Sequence, residues 1–274
     1  MNPRFKTTRR TVIKTGLVTF AAGINPMIAV CSQKAPGETK VIYFGGDYIH
    51  NGVTQEKYLR ETFSKSGWRL FFAQASRFIT PEQLSDTDLL IMNRTGTYDA
   101  QGFSSEGLVE NRPEPDPFMA PEMEDAIIEN VEKRGMGFVA LHCTAGNPEH
   151  TKLMTMLGVK PVRSGAKLQP VRFHYFHKTH PITQRFNDFE IDLDENLIKE
   201  IDDPGATVLF RATGINDGIE CDAGWCIKRR QGRVVVLLAG HTSDAWRHPK
   251  YRELHWRAAY WALQRDIPPF EMGK

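Results

Sequence analysis

Three apolar runs in this 274-residue chain end in a histidine or lead into one within a few residues. Lys40 to Phe44 leads into Gly45-Gly46-Asp47-Tyr48-Ile49-His50. Gly137 to Leu141 leads into His142-Cys143-Thr144-Ala145-Gly146-Asn147, and Arg233 to Ala239 into Gly240-His241-Thr242. Imidazole titrates near pH 6.5, so it is the side chain best suited to giving and taking protons in neutral water. In open α/β sheets, ligands bind beyond the carboxyl ends of the strands. Three such ends in one chain predict a shared site, with His142 and His241 as acid and base and Asp47 and His50 facing the ligand.

Other residues invite chemistry, and each also has a purely structural explanation. Cys143 would need a strained turn and a paired base to act as a nucleophile. Its neighbours two residues either way, Leu141 and Ala145, are not the glycines that relieve such a turn. Covalent catalysis by Cys143 is therefore the disfavoured alternative. His174, His177 and His180 are spaced by three, which alternates strand faces, so a protein-ligated metal is not expected there. His180 instead reads as a pocket-lining residue in the turn His180-Pro181-Ile182-Thr183. Trp225 is either a platform for a sugar ring or a core residue. Cys221 and Cys226, which bracket it, could close a small disulfide loop or stay as two buried thiols. Gly45-Gly46 lacks any phosphate-loop or dinucleotide continuation, so no cofactor is implied.

These groups need elements to position them. Lys40–Phe44, Trp68–Phe72, Asp88–Met92 and Gly137–Leu141 read as buried strands, and Val171–Phe176, Thr207–Phe210, Trp225–Lys228 and Arg233–Ala239 as later ones. Thr54–Ser66, with Thr54 as its N-cap, Pro121–Arg134, stopped by Gly135, and Tyr251–Leu263 read as helices. Residues 93–118 lack periodicity and read as a flap. The expectation is one α/β domain over 40–268 in three α/β/α layers, with a mainly parallel sheet.

Charge and the N-terminus bound the rest. The chain carries 35 basic and 33 acidic residues, but Arg4, Lys6, Arg9, Arg10 and Lys14 fall within 1–31, where there is no acid. The remainder is mildly acidic, without a dense basic run, so no nucleic-acid partner is expected. Thr8-Arg9-Arg10-Thr11-Val12-Ile13-Lys14 resembles a twin-arginine export motif. The apolar stretch after it is too short and interrupted to span a bilayer. Residues 1–31 thus read as a signal peptide and 32–39 as a polar linker, which implies a periplasmic protein. Ile28-Ala29-Val30-Cys31 resembles a lipoprotein box, although Val30 replaces the usual small residue. Lipid anchoring through Cys31 and plain cleavage both stay open, as does a homo-oligomer.

GFVALHCTAGN, HPITQRFNDFEIDLDENL, QGRVVVLLAGHTSDAW and WRAAYWAL, in this order, resemble the trehalose-utilisation (ThuA-like) family over about residues 40–265. The resemblance implies a fold like that of class I glutamine amidotransferases, related to flavodoxin, and a role in carbohydrate metabolism. It points to His142, His180, Glu195, His241 and Trp246 as motif positions, with Glu195 the pocket-facing member of the acidic group Asp192, Asp194 and Glu195. The expected activity is acid–base chemistry, isomerisation or elimination, on a small sugar or keto-sugar. Glu195 would position the substrate, while Asp47, His50, His180, Trp225 and Trp246 would contact it. The alternatives are a non-catalytic sugar-binding lipoprotein and a Cys143-dependent amidotransferase-like hydrolase.

Overall fold

A computed structural model of the chain describes residues 34–94, 119–146, 150–160 and 167–272. The signal read over 1–31, with Cys31, lies outside the described residues, as does the flap read over 93–118 from residue 95 onward. Lys34 Nζ reaches Asp88 Oδ1 at 2.7 Å and its backbone N–H donates to Asp86 Oδ2 at 3.0 Å, so the chain is already docked there.

Among the described residues, nine strands form one sheet: β1 (Lys40–Gly45), β2 (Arg69–Ala73), β3 (Leu89–Asn93), β4 (Gly137–Leu141), β5 (Leu168–His174), β6 (Phe189–Glu195), β7 (Thr207–Gly214), β8 (Glu220–Arg229) and β9 (Gly232–Leu237). Their order is β2-β1-β3-β4-β9-β8-β7-β5-β6. The pairings from β2 to β9 are parallel and those from β9 to β6 are antiparallel. The sheet is therefore mixed, which corrects the expectation of a mainly parallel one. The cause is local. Only Arg230 and Gln231 join β8 to β9, too few for a parallel crossover of a dozen or more residues. Arg230, at φ 48°, supplies the left-handed turn of that hairpin.

Among the described residues, six α-helices flank the sheet: α1 (Gly52–Thr62), α2 (Pro81–Leu84), α3 (Pro121–Glu129), α4 (Thr151–Leu157), α5 (Ser243–Arg247) and α6 (Pro249–Ala262). Side chains of β1 alternate between two cores. Val41 and Tyr43 pack with Leu59 of α1, Ala245 of α5 and Leu254 of α6, whereas Ile42 and Phe44 join Leu84 of α2, Ile127 of α3 and Leu153 of α4. This gives the three layers expected, and burial on both faces explains why β1 has no polar alternation. Each fully buried side chain of this size contributes about 1.5–3 kcal/mol. After α3, a wider turn continues through Arg134 and stops at Gly135, which takes φ 83°. No helix among the described residues is long and apolar enough to cross a membrane.

Candidate active site

The turn after β1 is built to aim His50 inward. Gly46 sits at φ 82°, and a Cβ there would meet Gly52 Cα at 2.7 Å, so glycine is required on both counts. Asp47 Oδ1 then accepts the backbone N–H of Ile49 at 2.8 Å and of His50 at 3.0 Å. Asn51, not Thr54, caps α1, accepting from Val53 and Thr54 N–H at 3.1 Å. The cap immediately follows His50 and fixes its backbone. The ring answers the same carboxylate, with Nδ1 2.8 and 3.0 Å from the two Asp47 oxygens. A carboxylate can only accept, so Nδ1 carries the proton there. Burial opposes charging of His50, but the charge and hydrogen bond of Asp47 outweigh it and raise its pKa.

After β4 the chain turns at His142 with φ 44°, a left-handed conformation that costs a non-glycine residue on the order of 1 kcal/mol. The turn brings His142 Nδ1 to 2.9 Å from the Leu238 carbonyl oxygen, which also can only accept. His142 thus holds its proton on Nδ1 and presents Nε2, which lies 3.5 Å from Glu195 Oε2. His241 follows β9 through Gly240, at φ 124°. Its Nδ1 is also 3.5 Å from Glu195 Oε2, yet makes no hydrogen bond in this geometry. Burial, then the neighbouring His142 and His50, push His241 down to about 3. Burial alone would raise Glu195, but His142, His241 and His50 hold its carboxyl at about 2.

The three imidazoles form one group. Ring centroids are 5.0 Å apart for His50–His142 and His50–His241 and 5.4 Å for His142–His241, with the rings edge-on to one another. All three are buried. His142, His241, Glu195, Asp47 and His50 therefore meet, as expected from strand ends that share one edge of the sheet.

Three expected residues do not join them. His180 lies at the amino end of β9, on the opposite edge, where it lines a cavity of about 1030 Å³ with Arg233, Arg257 and Trp261. Its Nε2 is 3.4 Å from Cys226 Sγ and its Nδ1 accepts from Ile182 N–H. Trp225 is fully buried, and its indole N–H donates to the Leu157 carbonyl at 2.8 Å, so it belongs to the core. Trp246 is buried behind the site, where its indole N–H holds the Gly240 carbonyl at 2.8 Å. It shapes the His241 turn from within the core. Cys221 and Cys226 are both free thiols, since five positions on β8 put them on opposite faces.

Two contributors were not singled out from sequence. Asp194, next to Glu195, is fully buried and accepts three backbone N–H groups, from Gly240 and His241 at 2.9 Å and from Thr242 at 3.3 Å. It fastens the end of β6 to the His241 turn. Asn93 accepts the Cys143 thiol at 3.2 Å. That thiol is also 3.7 Å from His50 Nδ1, but burial and then the Asp47 charge push its pKa far up, so it stays protonated.

The sequence pattern of the trehalose-utilisation family, ThuA, matches residues 40–262. The chain belongs to that family. Among solved structures it is similar to a ThuA-like protein of Parabacteroides merdae, with a TM-score of 0.64 at 13% identity over 85% of this chain and 92% of that one. A ThuA-like protein of Bacteroides uniformis gives a TM-score of 0.62 at 18% identity over 86% and 96%. A cytoplasmic protein of Salmonella typhimurium gives 0.56 at 15% identity over 82% and 99%. At these identities the likeness shows the fold alone. A comparison with curated proteins returns no match.

Proposed function

We propose that this ThuA family member is an exported enzyme of carbohydrate utilisation that moves a proton beside the carbonyl of a small keto-sugar. The observation that carries the reading is Glu195 Oε2 lying 3.5 Å from both His142 Nε2 and His241 Nδ1. A carboxylate faces a wall of buried imidazoles there, and His50, whose pKa Asp47 raises against burial, is the member of the wall placed to carry positive charge.

The base moves from the histidines to Glu195 in this reading. His142 has committed its Nδ1–H to Leu238, and His50 has committed its own to Asp47. Glu195 takes the proton from the carbon next to the carbonyl, and the electron pair moves onto the carbonyl oxygen. The histidine wall stabilises that enediolate, the electrostatic contribution that is usually largest in such reactions. The charge that holds the Glu195 carboxyl at about 2 is the charge the enediolate draws upon, so Glu195 becomes more basic as the reaction proceeds. Returning the proton to the former carbonyl carbon, while the adjacent hydroxyl passes its own proton to the former carbonyl oxygen, completes an isomerisation. Expelling a substituent from the β-carbon instead completes an elimination. Trehalose and its 3-keto derivative, incubated with the protein and followed by NMR, test this. Conversion of the keto-sugar supports it, and line broadening without conversion replaces it with a non-catalytic binding protein.

A further inference from the structure

We propose that His50, His142 and His241 form a divalent transition-metal site, with Glu195 as its fourth group. One ring nitrogen from each histidine lies within 4.8 Å of the others. The rings lie at 70–78° to one another, T-shaped and not stacked.

The outer nitrogens carry the argument. Metal-binding histidines usually give their second N–H to a carboxylate or a backbone carbonyl, which fixes the tautomer. His50 gives its Nδ1–H to Asp47, and His142 gives its own to the Leu238 carbonyl, so Nε2 is the nitrogen each can offer a cation, which would displace any proton there. His241 supplies an independent sign. It is 5% exposed, and its Nδ1 is buried without a hydrogen-bond partner. Such an atom ordinarily costs about 1–3 kcal/mol, and a cation would satisfy it.

Distances agree with a compact tetrahedral set. Ligands at 2.0–2.1 Å from zinc stand about 3.4 Å from each other. Glu195 Oε2 already lies 3.5 Å from His142 Nε2 and from His241 Nδ1. Bringing the imidazoles to the same spacing needs ring movements on the order of 1 Å. The donor set is imidazole and carboxylate, which suits Zn²⁺, Co²⁺ or Fe²⁺. Cys143 is not part of it, because its sulfur faces Asn93 and the outer nitrogen of His50. The site departs from the expectation of no protein-ligated metal. Positions 50, 142 and 241 have no short ligand spacing, and only the shared sheet edge unites them.

The inference rests on the reading of this basin as the reactive centre, where the cation would supply the positive charge assigned above to the histidine wall. The full chain, stripped with chelator, would be titrated with Zn²⁺ by calorimetry and with Co²⁺ by visible absorption. One equivalent should bind, with Co²⁺ giving the intense bands of a four-coordinate site. His241→Gln should weaken binding at least 100-fold, and Asp47→Asn 10–100-fold through the outer shell alone. Thermal melts of each variant separate lost ligands from lost folding. Failure of the wild-type chain to bind, or equal binding by the folded His241→Gln variant, overturns the metal site. Full keto-sugar conversion by chelator-treated protein overturns the site and leaves the proposed reaction standing. One bound equivalent without any conversion does the reverse.

Discussion

Asp194→Ala is expected to loosen the site without touching a reacting group. Its carboxylate accepts three buried N–H donors from Gly240, His241 and Thr242. Alanine leaves all three unsatisfied, at about 1–3 kcal/mol each. Part of that loss is returned. Burial raises the pKa of Asp194 despite His142 and backbone donors that include Gly240 and Thr242, so the ionised carboxylate is itself held at a cost. A net destabilisation of about 2–4 kcal/mol is expected, or a drop in Tm of roughly 5–15 °C at this size. The turn carrying His241 should also lose its position relative to Glu195, with conversion of the keto-sugar falling about tenfold or more. Differential scanning calorimetry and the NMR assay read the two effects separately. A Tm within 2 °C of wild type with unchanged conversion would refute the fastening role.

Three further outcomes are expected. Cys143→Ala should change conversion by less than about fivefold, because a thiol held protonated beside Asn93 is no nucleophile; loss of all conversion in a folded variant would favour covalent catalysis. His255, buried with both ring nitrogens unbonded, is pushed by burial and then Arg252 down to about 3. Its pKa is lower folded than unfolded, so its contribution is present above about pH 6.5 and is lost as pH falls, by about 1.3 kcal/mol between pH 7.5 and 5.5. The loss of stability over that interval should be smaller by this amount in His255→Phe, and an identical loss would contradict the burial argument. Replacing Arg9 and Arg10 by Lys should retain the protein in the cytoplasm, and unchanged periplasmic yield would remove the twin-arginine reading.

Much of the site was legible because its carriers are buried strands. β1, β4 and β9 are runs with little polar interruption, and their common direction places His50, His142 and His241 on one edge whatever happens elsewhere. Strand direction in the other half was harder to read. β8 buries Ala223 to Ile227 continuously, so a centrally placed antiparallel strand looks as apolar as a parallel one. The short gap between Lys228 and Arg233 did carry the signal, since only a hairpin can cross it. Asp194 stayed hidden for the opposite reason. In Phe189–Glu195, Glu190 and Asp192 are exposed, and Asp194 continues their two-residue spacing, so it looks like more of the same surface although it is buried. Its role depends on three N–H donors from a turn that follows β9. Trp225 and His180 show the limit of residue type as a guide. An indole with an internal acceptor is core, and a histidine after a strand belongs to whichever edge that strand ends on.

Solvent-deuterium exchange tests the central claim most directly. The keto derivative of trehalose would be incubated in D₂O with the wild-type chain and with Glu195→Gln, and deuterium beside the carbonyl followed by proton NMR. The wild-type chain should exchange that position far faster than buffer alone. Glutamine keeps the shape of Glu195 but cannot take the proton, so its rate should fall about 10²–10⁴-fold, or roughly 3–5 kcal/mol. Equal exchange by the two proteins would contradict Glu195 as the base, and exchange by neither above buffer would contradict proton transfer as the chemistry of this site.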